Sequence, residues 1–148
     1  MAITPTETAR EHTWPADLRV AQVRVARPTD KLAEVERFYA GILGLPVLYR
    51  FSDHAGFDGV MLGLPDSRYH LEFTSSHSGS PCPAPSKENL LVLYFETETA
   101  MYDVVERLAG HGCEPVPAEN PYWTDHGALS FEDPDGWRVV LVPKPVVL

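Results

Sequence analysis

Apolar and polar residues change period several times along this chain, and each change marks an element. From Leu18 to Ala26 the period is two: Gln22, Arg24 and Ala26 point one way, Val23 and Val25 the other. Pro28 ends that strand, and Thr29 or Asp30 can cap the helix that follows. The period then becomes helical, with Leu32, Val35, Phe38, Tyr39 and Ile42 on one stripe. Gly44 suits its C-terminal cap, and Pro46 stops it. Three strands are expected next, over 47–51, 59–64 and 69–74, with a turn-rich connection at 52–58. In the last of them Tyr69, Leu71 and Phe73 form an apolar face, and His70 and Glu72 share the other.

Between Ser75 and Glu88 prolines, serines and glycine prevent any regular element. The pattern then restarts. Leu90 to Glu96 reads as a strand, and Thr97 caps a helix carrying Met101, Val104, Val105 and Leu108. Gly110 and Gly112 close that helix. Short strands are expected over 114–117, 127–132 and 137–142, with a loop over 117–126. Asp133-Pro134-Asp135-Gly136 is turn chemistry and sets the last two strands in register. Val35-Glu36-Arg37 recurs as Val105-Glu106-Arg107, each on its helix and each followed by a glycine and Pro-Val, a trace of duplication.

The implied fold class is α+β: two tandem βαβββ modules with facing curved sheets and a central cleft. An N-terminal arm covers 1–17, with Trp14 as its anchor. One domain covers 18–143, divided into a first module (18–75), a linker (76–88) and a second module (89–143). Residues 144–148 form a tail.

Composition narrows the partners. The 148 residues are 44% hydrophobic and 22% charged, which suits a globular chain with a sizeable core. A formal charge of −9 excludes the basic face that nucleic acid needs. No apolar run is long enough to span a bilayer, so no membrane partner is expected. Cys82 and Cys113 fit neither a metal spacing nor a disulfide framework, and a cytoplasmic location with reduced thiols is expected.

Glu36-Arg37-Phe38-Tyr39 with Leu43-Gly44-Leu45, and Phe131-Glu132-Asp133-Pro134-Asp135-Gly136 before the last strand, carry a resemblance. The chain resembles the vicinal oxygen chelate superfamily, which includes glyoxalase I, extradiol dioxygenases, fosfomycin-resistance transferases and bleomycin-binding proteins. The resemblance covers about residues 19–142 and implies a homodimer. It also implies a divalent metal held by His and Glu on the first and last strands of each module. Carried over one at a time, those positions fall at or beside Gln22, at Glu72, at or beside Val92, and at Val140. Only Glu72 is of the expected type, and two of the others are apolar, so neither a metal nor a cofactor is expected.

Among the histidines only His70 shares a strand face with Glu72; a third ligand would require His54 or His126 to reach in from a loop. His12, His77 and His111 fall in the arm, the linker and near a helix end, where solvent is expected around them. The cleft so implied offers Gln22, Arg24, His70 and Glu72 from the first module, and Val92, Tyr94, Arg138 and Val140 from the second. Tyr122 and Trp123 lie over its mouth. Apolar walls with a few polar groups suit a small molecule. Two arginines can grip a carboxylate or phosphate, unless Glu72 neutralises Arg24.

The leading expectation is therefore metal-independent small-molecule binding through Gln22, Arg24, His70, Glu72, Tyr94, Trp123 and Arg138. The alternative is an enzyme of lyase, isomerase or dioxygenase type. It would use a rearranged metal site, or a metal-free acid/base pair, at His70 and Glu72. An interaction module with an occluded cleft is a third reading.

Overall fold

The computed structural model describes residues 14–147. In chain order the elements are β1 (Val23–Pro28), α1 (Leu32–Glu36) running into a π-helical segment (Arg37–Ile42), β2 (Val47–His54), β3 (Phe57–Gly63) and β4 (Tyr69–Ser76). They are followed by β5 (Leu90–Tyr94), α2 (Glu98–Gly110), α3 (Pro121–Asp125), β6 (Leu129–Glu132) and β7 (Arg138–Val142). The first sheet has the order β1-β4-β3-β2 and the second β5-β7-β6. In each, the first strand of the module pairs parallel with the last, and the other pairs are antiparallel. The α+β class is as the sequence implies.

Five local features depart from the sequence reading. The first strand begins at Val23, because its ladder opens with the Val23 N–H bonded to the Arg68 carbonyl, and β4 offers no partner to earlier residues. The first helix changes register: Leu43 N–H reaches the Phe38 carbonyl, an i to i+5 bond, and the segment turns Phe38, Tyr39 and Ile42 inward together. Lys31 is its N-cap, without a side-chain cap, and Thr29 instead accepts from the Lys31 N–H at 2.9 Å. The strand expected over 114–117 is a single bridge from Val116 to Ser130, since Pro115 and Pro117 have no N–H to give a ladder. Finally, the 117–126 loop contains α3, whose Asn120 side chain accepts from Tyr122 N–H and whose first residue is Pro121. Five residues are too few for a periodic signal. Of the N-terminal arm, residues 1–13, His12 among them, lie outside the described residues; Trp14 is exposed and bonds through its indole N–H to the Leu18 carbonyl.

One hydrophobic core joins the modules. Val35, Phe38, Tyr39, Ile42 and Leu43 meet Val60, Leu62, Leu71 and Phe73 of the first sheet. The same cluster takes in Met101, Val104 and Leu108 of α2 and Phe131, Val139 and Leu141 of the second sheet. Polar ties reinforce this seam. Arg107 of α2 donates to the carbonyls of Ile42 and Leu43, at 3.1 and 2.9 Å, so it closes the end of the first module's helix. The turn at 133–136 docks on the first module: Thr29 donates to Asp135 at 2.7 Å and Lys31 to the Pro134 carbonyl at 2.9 Å. Gly136 completes that turn at φ +85°, a conformation side-chain-bearing residues rarely adopt. The linker is pinned to the same turn through the Ala84 N–H to the Asp135 carbonyl and the Trp137 indole to the Cys82 carbonyl.

Tyr39 is the centre of the seam. It is fully buried, stacked on Phe73 at 4.9 Å and edge-on to Phe38 at 5.0 Å. Its hydroxyl donates to Asp133 Oδ2 at 2.7 Å, while Asp133 Oδ1 accepts from the N–H groups of Asp135 and Trp137. Burial raises the phenol pKa well above its usual value, and the neighbouring carboxylate pushes the same way. Burial likewise raises Asp133, against the hydrogen bonds that lower it.

Removing the Tyr39 hydroxyl leaves a buried carboxylate oxygen unpaired. Tyr39→Phe is expected to lose about 1–3 kcal/mol in a denaturant melt. The folded state holds the phenol proton more tightly than the unfolded chain. Stability of the unaltered protein should therefore fall as pH rises above about 10, the unfolded tyrosine value, and Tyr39→Phe should flatten that slope.

Candidate functional site

The sheet faces turned away from the helices carry the chemistry. On the first sheet, pairing of Arg24 with His70, Glu72 with Met61, Met61 with Tyr49 and Gly59 with Phe51 sets these residues on one face. Leu71 and Phe73 alternate onto the opposite face, in the core. Val23 and Val25 also point to the helix side, yet they are 45% and 47% exposed, because β1 is an edge strand that the helices do not cover.

Arg24 organises the polar group. Its Nε donates to His70 Nε2 at 3.0 Å, its Nη1 lies 3.4 Å from Glu72 Oε2, and its Nη2 donates to Met61 Sδ at 3.4 Å. His70 is buried, and its Nδ1 lies 2.9 Å from the Ser67 carbonyl. A guanidinium can only donate and a carbonyl can only accept, so the bonds assign the neutral ring with its proton on Nδ1. Gln22 lies just before β1 and donates to the same Ser67 carbonyl at 3.3 Å. Four of the expected ligand-binding residues are thus together: Gln22, Arg24, His70 and Glu72. Arg24 is neutralised by Glu72, which makes this face polar without a net charge.

Sequence reading missed the other half of the face. Tyr49, 60% exposed, and Phe51 form an aromatic wall with ring centroids 6.4 Å apart, and Met61 lies between them and Glu72 in the register. The Phe51 ring lies over Gly59, where an added Cβ would come within 2.2 Å of it. The sequence shows Val47, Tyr49 and Phe51 at alternate positions, but a register shift between Val47 and Tyr49 sends Val47 to the core and the two rings to this face, and alternation does not reveal it.

The second sheet presents Leu90, Val92, Tyr94, Arg138, Val140 and Val142 on the corresponding face. Trp123 of α3, with Leu90 and Val92, packs against the buried Ala128, Val140 and Val142, so most of this face is an apolar cluster. Arg138 is buried, donates from Nη1 to the Pro117 carbonyl at 2.9 Å and has Glu132 Oε2 at 3.6 Å from its Nε. Tyr94 stands further along and lines a shallow hollow with Tyr122, His126 and Val142. The two arginines belong to different sheets and each has its own carboxylate, so they do not form a joint anion clamp.

The remaining histidines serve elsewhere. His126 faces Tyr122 at 4.0 Å, and His54 packs edge-on to Phe51. His77 is exposed but paired: its Nε2 lies 3.0 Å from Asp58, whose hydrogen bond raises the His77 pKa. Among the described residues, no group of three or more His, Cys, Asp or Glu side chains is placed to hold a metal ion. The positions at which the resemblance puts metal ligands do not fit one either. Val92 and Val140 are apolar members of the cluster that includes Trp123, Glu72 is ion-paired, and the His70 lone pair is occupied by a cationic side chain.

The fold defines a class: the protein has the glyoxalase-like fold of the vicinal oxygen chelate superfamily. The chain belongs to the YycE-like family, matching its N-terminal domain over residues 23–74 and its C-terminal domain over 88–143. It is 44% identical over 127 residues to the YycE protein of Bacillus subtilis, covering 86% of this chain and 91% of the relative. A crystal structure of a YycE protein from Bacillus subtilis, of unknown function, superposes with a TM-score of 0.85 at 41% identity, over 91% of this chain and 98% of that one. The fosfomycin resistance protein FosX of Mesorhizobium loti shares the fold, with a TM-score of 0.64 at 12% identity, over 84% and 91% of the two chains.

Trp123 is the main cover of the second sheet's face. Trp123→Ala is expected to cost about 1–3 kcal/mol through lost apolar burial and to leave the main core's helix signal intact at room temperature, as read by circular dichroism and thermal melting.

Proposed function

We propose that this glyoxalase-like protein binds an uncharged, planar small molecule bearing oxygen acceptors, without a metal, on the face made by Arg24, His70, Glu72, Tyr49 and Phe51. The carrying observation is the Arg24 guanidinium bonded to His70 Nε2 and ion-paired with Glu72. It satisfies both groups, leaves the face without net charge, and retains N–H donors of its own, since Arg24 is 44% exposed. Tyr49 and Phe51 supply a wall on which a flat ring can stack. Gln22 extends the polar edge, whereas Tyr94, Trp123 and Arg138 belong to the second sheet and are engaged there, so the proposed face is the first module's.

Acid–base catalysis by His70 and Glu72 is less well supported. The two side chains are joined through Arg24, and the Nε2 lone pair that would take a proton is already accepting one hydrogen bond. Two further features bear on the protein's setting. Among the described residues no strand pairs with the outer edge of β1, and Val23 and Val25 of β1 and the neighbouring Tyr69 of β4 are exposed, which supports a homodimer. Free Cys82 and Cys113 support a reducing, cytoplasmic compartment, and no helix among the described residues is long and apolar enough to cross a membrane.

A matched panel tests the reading: planar aromatic lactones and ketones against carboxylates of the same ring size, followed by thermal shift and calorimetry. The uncharged set should raise the melting temperature. Arg24→Met and Tyr49→Ala should each weaken the best binder by roughly tenfold, about 1.4 kcal/mol. A preference for the carboxylates, or unchanged binding in both variants, would sink it.

A further inference from the structure

The neighbours of the Arg24 guanidinium are themselves a ligand set. They are an imidazole lone pair on His70 Nε2, a carboxylate oxygen of Glu72 and a thioether sulfur of Met61, at 3.0, 3.4 and 3.4 Å from three different nitrogens of Arg24. A divalent transition ion would accept the nitrogen and the carboxylate. His70 is also held as a metal-binding histidine is held, with the opposite ring nitrogen anchored on a backbone carbonyl, here that of Ser67. The site is thus pre-organised around a positive charge, and the charge present is a side chain. A guanidinium in hydrogen-bond contact with the Nε2 lone pair both occupies the ligand position and repels an incoming cation.

We propose that Arg24 is the resident cation of this site, taking the place of a divalent ion on the His70–Glu72 pair, and that Arg24 alone makes that pair unavailable to metal. The inference rests on the metal-independent reading of the same face and adds to it the residue responsible. It carries a strong consequence. Gln22 stands two residues before Arg24, on the same side of the chain, and its amide donates to the Ser67 carbonyl that also anchors the Nδ1 side of His70. A histidine at position 22, shorter than glutamine, is the candidate third ligand, and it is expected to act only where Arg24 has been removed.

The test uses Co²⁺ as the probe on full-length protein purified without a polyhistidine tag, read by the visible absorption of the bound ion and by thermal shift. The variants are Gln22→His, the double variant Gln22→His/Arg24→Met, and the double variant with Glu72→Ala added. Methionine keeps much of the arginine stem's packing; melting curves identify which variants are folded, and Arg24→Gln replaces Arg24→Met if the latter is not. Gln22→His alone should bind Co²⁺ no better than the unaltered protein. The double variant should bind at least about tenfold more tightly, and Glu72→Ala should abolish the gain. A folded double variant that binds no better than Gln22→His overturns the role given to Arg24, while leaving metal-independent ligand binding in place. Stoichiometric Co²⁺ on the unaltered protein, lost on His70→Ala, overturns both.

Discussion

The buried hydrogen bond from Tyr39 to Asp133 ties the architecture together. One end is on the first module's helix, and the other is in the turn between the second module's last two strands. A carboxylate this deep needs hydrogen-bond partners on both oxygens, and Asp133 has them: two backbone N–H groups of its own turn on Oδ1 and the Tyr39 hydroxyl on Oδ2. The turn therefore cannot close correctly without the first module beneath it. Thr29, Lys31 and the Cys82–Ala84 stretch of the linker gather on the same few residues. Two modules that share one core and one buried carboxylate are expected to unfold together.

That rigid seam leaves the opposite sheet faces free for chemistry. They have diverged in character. The second module's face is mostly apolar and packed on by Trp123 of a five-residue helix, with Arg138 buried against Pro117 and paired with Glu132. The first module's face is open, polar at one end and aromatic at the other. The fold is shared with FosX, but in this chain the first sheet's polar face is held by a guanidinium and the second sheet's face carries two valines. Substituting a fixed side-chain cation for a diffusible one keeps a site electrostatically assembled without dependence on metal supply, though it gives up open coordination positions for a substrate.

Most of the frame was legible along the chain because its signals are local. Periods of two and of 3.6, the Asp133-Pro134-Asp135-Gly136 turn, the Thr97 cap and the proline stops each act over a few residues. Alternation set His70 and Glu72 on one face, and the family resemblance brought Arg24 to it. What alternation could not supply was the partner strand. Tyr49 and Phe51 reach this face only through the β2–β3 register, which includes a shift between Val47 and Tyr49. Short elements were misread for the related reason that α3 and the Val116 bridge are too brief to carry a period.

By itself, then, the sequence determined the α+β class, the two-module order, and the absence of ligand-type residues at Gln22, Val92 and Val140. These are matters of residue type and near-neighbour spacing. The tertiary structure decided which groups satisfy one another. Arg24 meets His70 and Glu72 across about 46 to 48 positions of sequence, through strand pairing that no local pattern encodes. Whether a histidine lone pair is open to a ligand or occupied by an arginine depends on distances of a few ångströms between strands, and only the folded chain sets those.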